Sequence, residues 1–218
     1  ITRCETEQMA IKILLNSLYG AMGNCHFRYY DLRIAEGVTL TGQTVIRWAE
    51  KALNSYLDKA LGTPKDRVIA IDTDSIYVNG NDIVAKYKGT DPVSFLDQFA
   101  TKAVEPVLET AFQKLFAITQ GYNSRMVMKR EVIADRSIWT AKKRYILNVH
   151  NSEGVQYAQP KMKIMGIEAI RSSTPAVCRV ALKEMFKIII GTDEETAQKE
   201  IARFKEDFAK LDPKDVAC

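Results

Sequence analysis

Apolar residues recur at helical spacing through the first 61 residues of the chain. Between Met9 and Leu18 they fall three or four positions apart with polar residues between them, which predicts a helix over residues 5–22. A longer stripe of the same period predicts a second helix over residues 38–61. The Gly62-Thr63-Pro64 sequence should end that second helix.

A β-hairpin is predicted next. Two short runs of β-branched residues, 67–71 and 76–78, flank the polar sequence Asp72-Thr73-Asp74-Ser75. A polar interval of this length between two strands is typical of a tight turn. We therefore expect both aspartates at the tip of the hairpin.

The remaining sequence predicts a helix, then strands, then helices. Residues 92–116 have helical periodicity with a break at Pro106, and residues 126–133, 138–149 and 155–158 are rich in strand formers. Asn151-Ser152-Glu153-Gly154 is the predicted turn between the last two strands.

The final segment is predicted to be all helical. Thr174 followed by Pro175 should cap a helix that runs to about residue 190, and Thr192 with Asp193 should start another over 192–211. The fold class expected from this order is α+β, with an antiparallel sheet covered on one face by helices and followed by a helical segment.

Composition places the chain among globular proteins. It is 46% apolar and 27% charged, and no apolar run has the length of a membrane-spanning helix. The net charge of +4 is mild, but residues 121–171 hold 10 basic and 4 acidic residues, so the excess positive charge is confined to that quarter. The four cysteines are scattered without ligand spacing, which indicates reduced thiols and no zinc site.

Asp72 and Asp74 are candidate metal ligands. Two carboxylates on a rigid turn supply the hard oxygen ligands that suit Mg²⁺, and a pair of such ions can stabilise both oxygens of a phosphoryl displacement. The alternative is an exposed turn that binds nothing.

Lys12, Asn16, Tyr19 and Gly20 fall on one stripe of the first predicted helix. The stripe combines a cation, an amide, a phenol and a bare backbone patch, which could hold a triphosphate beside a flat base. A solvated helix face is the alternative interpretation.

The sequence Lys142-Lys143-Arg144-Tyr145 lies within a predicted strand. Alternation along a strand would place Lys143 and Tyr145 on one face and the other two on the opposite face. Basic residues interleaved with aromatic ones suit a nucleic-acid backbone, and Lys161, Lys163 and Arg171 extend the basic region; a solvated edge strand is the alternative.

In this order, the three motifs resemble the B, C and KKRY motifs of family B DNA polymerases, and the sequence between them is similar to the replicative polymerases of T-even-like bacteriophages. The resemblance covers nearly the whole chain. It implies that residues 1–23 are the end of the fingers, 24–166 most of the palm, and 167–218 the start of the thumb. The amino end looks like a cut edge, so we expect a fragment.

The resemblance also implies residue roles. Lys12 would contact the triphosphate and serve as general acid, Asn16 and Tyr19 would line the nascent base-pair pocket, and Gly20 would be a further nucleotide-binding residue. Asp74 would ligate metal, with Asp72 beside it and Glu131 a further acidic residue near the metals. The residues expected to hold primer and template are Lys142, Lys143, Arg144, Tyr145, Lys163, Gly166 and Arg171. Other branches of the family have Arg-Asp where this chain has Ser172-Ser173, which weakens the assignment of Arg171.

The implied reaction is nucleotidyl transfer from a dNTP to a primer 3′ hydroxyl with two Mg²⁺ ions, in the cytoplasm of an infected bacterial host. Implied partners are primer-template DNA, dNTP, the rest of the polymerase with its exonuclease, and a sliding clamp. The family's D-x-x-S-L-Y-P motif, which carries the second metal-binding aspartate, is not in these residues, so the fragment alone is expected to be inactive. Two alternatives remain open: a non-catalytic DNA-binding module and one subunit of a split polymerase.

Overall fold

Helices and antiparallel strands make up the chain, which confirms the α+β class. The computed structural model describes residues 2–122 and 124–216. The chain divides into two compact units, the first comprising Ile1–Ile83 and Pro106–Met128 and the second Val84–Glu105 and Lys129–Cys218. Their strands form two separate sheets among the described residues, one of two strands and one of three.

Two long helices begin the first unit. Helix α1 spans Thr2–Met22, starting three residues before the predicted helix and ending where predicted, and α2 spans Leu32–Leu61. Helix α2 starts six residues earlier than predicted, because the Asp31 carboxylate caps it by accepting a hydrogen bond from the Arg33 amide at 3.0 Å. At its other end Gly62 adopts φ +75°, which confirms the predicted stop.

The predicted hairpin is present, with a shorter turn. Strand β1 (Val68–Asp72) pairs with β2 (Ser75–Val78), and Asp72 is the partner of Ser75. The turn is therefore Thr73-Asp74, and Asp72 belongs to the strand end rather than to a four-residue tip. Thr73 has φ +55°, a left-handed conformation that a two-residue antiparallel turn requires.

The core of the first unit lies along α2 and α5 (Glu105–Ile118). The Trp48 indole N–H donates to the Ala111 carbonyl at 2.9 Å and so joins the two helices. Their buried apolar residues include Ile46, Ala49, Leu53, Leu57, Leu108, Phe112 and Leu115.

The second unit contains an antiparallel sheet in the order β3-β4-β5, formed by Val132–Ala141, Arg144–Ser152 and Val155–Met165. The prediction of one strand over 138–149 was wrong, because Lys142-Lys143 form a tight turn inside it. Lys143 takes φ +64° there without being glycine or asparagine, so no turn signal marks the break. Residues 126–131 are not in a strand, and β5 continues seven residues past the predicted end at 158.

Helices flank this sheet. Helix α4 (Pro92–Phe99) is capped by Asp91 and leads into a π-helical turn, Ala100–Val104. The irregularity therefore precedes the predicted break at Pro106, which lies in the first turn of α5. A short helix α3, Asn81–Ala85, was not predicted. Helix α6 (Ala176–Gly191) packs against one face of the sheet, where Ile146, Ile167 and Ile190 form a buried cluster.

The C-terminal segment is helical, as expected. A 3₁₀ turn, Glu168–Ile170, precedes α6, which is followed by α7 (Glu194–Phe208) and α8 (Pro213–Val216). Asp193 caps α7 as predicted. Thr174 does not cap α6. Pro175 has non-helical backbone angles, so the helix starts at Ala176 and Pro175 occupies the cap position without a side-chain hydrogen bond.

Cys4, Cys25 and Cys178 are free thiols, whereas Cys218 lies outside the described residues. Over residues 2–122 and 124–216, none of the helices combines the length and the apolar character needed to cross a bilayer.

Candidate functional site

Asp72 and Asp74 lie at the end of the β1–β2 hairpin, on either side of Thr73. The Asp72 carbonyl accepts from the Asp74 amide at 2.6 Å and from the Ser75 hydroxyl at 3.1 Å. The Thr73 hydroxyl donates to the Asp72 carboxylate at 3.1 Å. These local bonds hold the turn, which we call the acidic turn, with Asp74 exposed and Asp72 half-buried.

Arg67 anchors the base of this hairpin, and sequence reasoning missed its role. Its side chain is 1% exposed and makes ion pairs with Asp58 at 2.8 Å and Asp82 at 3.2 Å. The remaining guanidinium N–H groups donate to the Thr63 hydroxyl and to the Thr63 and Lys65 carbonyls. A buried arginine needs this full set of acceptors, and the set ties β1 to the end of α2 and the start of α3.

The backbone of Arg67 adds two further bonds. Its amide donates to the Asn54 side chain at 3.1 Å and its carbonyl accepts from the Asn79 amide at 2.8 Å. Residues on both sides of the hairpin are therefore fixed to one arginine. The sequence offered one signal, a charged residue directly before an apolar run, which does not distinguish burial from exposure.

The acidic turn fits part of a magnesium site. In nucleotide enzymes one or two protein carboxylates bind Mg²⁺, and substrate phosphates and water complete its coordination. Two aspartates are therefore enough to supply the protein ligands on one side of such a site. Within the described residues no group of three or more His, Cys, Asp or Glu is placed to hold a metal ion. Glu131, which the resemblance places near the metals, belongs to the other unit.

The stripe that the sequence predicts to bind a nucleotide lies on α1, in the same unit as the acidic turn. Lys12, Asn16, Tyr19 and Gly20 are all exposed. A Cβ on Gly20 would meet nothing within 4 Å, so this glycine leaves an open backbone patch rather than a packed contact. Apolar residues of α1 are exposed as well, with Leu14 at 71%.

Only Lys142 and Lys143 of the basic motif form a turn, and Arg144 and Tyr145 are the first residues of β4. We call residues 142–144 the cationic turn. Tyr145, the first residue after it, is 4% exposed and lies against Trp139 with ring centroids 4.6 Å apart. The predicted shared face of Lys143 and Tyr145 is therefore wrong, and Tyr145 supports the turn from the interior.

Gly166 packs directly behind the cationic turn. It has φ +65°, and a Cβ there would overlap the Lys143 carbonyl oxygen and lie 3.3 Å from Cγ of Arg144. The register of β4 with β5 places Met165 opposite Tyr145 and Lys163 opposite Leu147. Close backbone contact of this kind is possible only without a side chain.

Arg144 and Arg171 meet the 3₁₀ turn that follows Gly166. Arg144 forms an ion pair with Glu168, and the Arg171 guanidinium donates to the Gly166 carbonyl at 3.4 Å. The structure thus brings Lys143, Arg144, Gly166 and Arg171 together. The Glu168 backbone N–H and then the Arg144 guanidinium lower the pKa of the Glu168 carboxyl, with a smaller contribution from Arg171 and opposition from burial.

A second arginine, Arg130, is half-buried and positions the segment that carries Glu131. Arg130 pairs with Asp97 and donates to the Asn151 side chain at 2.8 Å and to the Glu131 carbonyl at 3.1 Å. The Glu131 carbonyl also accepts from the Glu153 amide at 2.7 Å, while the Glu131 side chain is exposed. Sequence reasoning did not identify this network.

Comparison with known proteins identifies the family. The model of DNA polymerase family B matches residues 2–214, and the chain therefore belongs to that family. It is 39% identical over 231 residues to the DNA-directed DNA polymerase of Enterobacteria phage T4, a match that covers 99% of this chain and 26% of that protein. It is 41% identical over 204 residues to the polymerase of Escherichia phage RB69, covering 87% of this chain and 23% of that protein.

More distant relatives include the DNA polymerase delta catalytic subunit of Drosophila melanogaster, 25% identical over 210 residues, which cover 94% of this chain and 17% of that protein. The chain spans about a quarter of the length of the two phage relatives. The resemblance to phage-type family B polymerases is confirmed.

Proposed function

We propose that this chain is the palm-centred part of a DNA polymerase that transfers nucleotides from dNTPs to a primer 3′ hydroxyl. Membership of family B over residues 2–214 supports a polymerase. The observation that carries the proposal is the acidic turn, two carboxylates at the end of a hairpin that a buried arginine anchors. In this assignment residues 1–23 end the fingers, 24–166 form most of the palm, and 167–218 begin the thumb.

The acidic turn would hold the metal. Asp74 and Asp72 would supply carboxylate oxygens to two Mg²⁺ ions. Substrate phosphates and a carboxylate from elsewhere in the polymerase would complete the coordination of the metals, and Glu131 is a further candidate ligand. Bound Mg²⁺ would stabilise negative charge on the attacking and leaving oxygens. The short hydrogen-bonded turn fixes the backbone that carries both carboxylates, which favours a preorganised site.

Helix α1 would bind the incoming nucleotide. The Lys12 ammonium would contact the triphosphate, while Asn16, Tyr19 and Gly20 would lie beside the nascent base pair. The 3′ hydroxyl would give its proton to water, and its oxygen would bond to the α-phosphorus as the bond from that phosphorus to the oxygen that bridges it to the β-phosphorus breaks. Lys12 would then give a proton to the departing pyrophosphate, the role of a general acid.

The cationic turn would hold primer and template. Lys142 and Lys143 lie in an exposed tight turn, where ammonium groups can approach phosphates, and Arg144, Lys163 and Arg171 extend the same positive region. Tyr145 and Gly166 would act indirectly, because one is buried beneath the turn and the other packs behind it.

A primer-extension experiment tests the function. Phage T4 polymerase carrying this chain in place of its matched segment, here called the chimera, should extend a primer with Mg²⁺. Asp74→Ala in the chimera should lower the rate by at least about a thousandfold if this carboxylate holds the metal. The proposal would be contradicted if the chimera and its Asp74→Ala variant extended the primer at equal rates while binding primer-template equally well.

The isolated 218-residue chain should not extend a primer, because its acidic turn supplies carboxylates on one side of the metals only. Extension above the level of its own Asp74→Ala variant would contradict this expectation. A chain that binds DNA without any response to Mg²⁺ or dNTP, together with an inactive chimera, would favour the non-catalytic DNA-binding module. Activity that appears only on mixing with a partner chain would favour the split polymerase.

A further inference from the structure

The cationic turn already has an anionic neighbour within the chain. Arg144, with a side chain 38% exposed, pairs through Nη2 with Glu168 Oε1, whose side chain is 48% exposed. No described residue accepts a hydrogen bond from the buried Nε of Arg144, so the contact is through one nitrogen and not through the paired fork that makes arginine–carboxylate bonds strong. The guanidinium is therefore held, but weakly.

The backbone around Glu168 is rigid, which keeps the carboxylate at this place. Ile167 and Ala169, its two neighbours, are 5% and 0% exposed, and Ile167 packs into the cluster with Ile146 and Ile190. The amide of Arg171 donates to the Glu168 carbonyl at 3.2 Å and closes the 3₁₀ turn. Glu168 thus projects outward from a fixed backbone between two buried residues.

The Arg144 side of the contact is equally fixed. Tyr145 is buried against Trp139, and Gly166 lies against the Lys143 carbonyl, so the cationic turn and the 3₁₀ turn are joined by backbone contact as well as by charge. A carboxylate and a DNA phosphate compete for the same donor, since both are anions with oxygen acceptors.

We propose that Glu168 occupies the phosphate-binding position of Arg144, and that primer-template DNA must displace this carboxylate to gain the arginine. This inference rests on the proposed DNA-binding role of the cationic turn. It makes Glu168 a positioning residue that limits DNA affinity, not a DNA contact. Ion pairs between exposed groups are weak, so the exchange with phosphate is readily reversible.

The test compares DNA binding by Glu168→Gln with that of a matched control. Binding of the full 218-residue chain to a labelled primer-template duplex is measured by fluorescence anisotropy between about 50 and about 200 mM KCl. Glu168→Gln should bind about two- to fivefold more tightly at the lowest salt, the range that loss of one exposed ion pair allows. The gain should shrink as salt increases.

Glu153→Gln is the control, because it removes the same charge from an exposed turn at the opposite end of β4. Nine strand residues place it about 30 Å from the cationic turn, well beyond the screening length. It should leave affinity unchanged. In an Arg144→Gln background the gain from Glu168→Gln should disappear, since no guanidinium is then released.

The outcomes separate this inference from the proposed function. Tighter binding by Glu168→Gln alone, dependent on Arg144, supports the inference. Weaker binding by Glu168→Gln would show that the carboxylate orients Arg144 for DNA and would overturn the inference. A change in affinity equal to that of Glu153→Gln, or a gain that persists in the Arg144→Gln background, would also overturn it. If instead the double variant Lys142→Gln/Lys143→Gln binds DNA as well as the unmodified chain, the proposed role of the cationic turn itself fails.

Discussion

Gly166 lies so close to Lys143 that a methyl group at position 166 would overlap the Lys143 carbonyl oxygen, with the carbonyl carbon 3.1 Å away. Both residues also have positive φ, +65° for Gly166 and +64° for Lys143. The cationic turn and the end of β5 are therefore fixed to each other by backbone geometry, independently of any charge.

Gly166→Ala should destabilise the chain and displace the cationic turn. Left-handed backbone costs a side-chain-bearing residue about 1–2 kcal/mol, and forcing a methyl group into packed backbone costs about 1–3 kcal/mol more. Urea unfolding measures the loss. Gly154→Ala is the matched control, because Gly154 has φ +87° but open space around its Cβ position.

Gly154→Ala should lose only the stability that the left-handed backbone costs, because no packed atoms surround its new methyl group. Similar losses for Gly154→Ala and Gly166→Ala would show that the close approach to Lys143 relaxes at no cost. We also expect weaker primer-template binding for Gly166→Ala but not for Gly154→Ala.

Arg67→Met should destabilise the first unit by about 3 kcal/mol. Removing one partner of a buried ion pair typically costs about 3–5 kcal/mol, and the lower end applies because Asp58 and Asp82 are each about a third exposed and stay hydrated. Chemical denaturation measures the effect, and hydrogen exchange of the β1–β2 amides should accelerate.

Lys65→Met provides the comparison for Arg67. Lys65 also pairs with Asp82, at 3.3 Å, but its side chain is 56% exposed. An exposed pair contributes about 0–1 kcal/mol, so this variant should remain close to the unmodified chain. Equal losses for the two variants would mean that burial of Arg67 is energetically unimportant.

Stability should fall in acid as the Asp91 cap is protonated. The Ser94 hydroxyl and then the Ser94 amide lower the pKa of the Asp91 carboxyl, against the opposing effect of burial. A lowered pKa in the folded state means that the contribution is fully present above the unfolded value of about 3.9 and is lost as pH falls through the folded pKa.

Urea unfolding at about pH 7, 5, 4 and 3 should therefore show decreasing stability below about pH 4. Asp91→Asn retains a capping side chain that does not titrate, so its stability should depend less on pH. An identical pH dependence for Asp91→Asn would exclude this cap as a source of the acid sensitivity.

Lys12 should affect nucleotide use in the chimera. Lys12→Ala should raise the KM for dNTP and lower kcat, because both phosphate contact and proton donation are lost, the latter contributing about a hundred- to ten-thousandfold. Lys12→Arg should have a KM close to that of the unmodified chimera but a lower kcat. A guanidinium keeps the positive charge but does not release its proton.

Lys51→Ala, an exposed lysine on α2 outside the proposed site, is the control for Lys12. Single-nucleotide incorporation at varied dNTP concentration separates the two constants. Kinetics of Lys12→Ala that match those of Lys51→Ala would remove Lys12 from the site.

Several elements could be predicted because local sequence determines them. Helix α1 and the β1–β2 hairpin follow from apolar periodicity, and α7 follows from the Asp193 cap. The turn at Lys142-Lys143 could not, because strand-forming residues continue on both sides and a lysine with positive φ carries no turn signal. Gly166, more than twenty residues away, lies against the Lys143 carbonyl, and local sequence does not reveal that contact.

The sequence by itself determined the chemistry that the chain can offer: an aspartate pair between two strands, a lysine-bearing helix, a basic motif, and their order, which carries the family resemblance. Only the tertiary structure decided which charges are buried or paired. Arg67 and Arg144 look alike in the sequence, yet one is enclosed by Asp58 and Asp82 and the other meets Glu168 at the surface. The physical reason is that desolvation and pairing depend on residues distant along the chain, which periodicity does not encode.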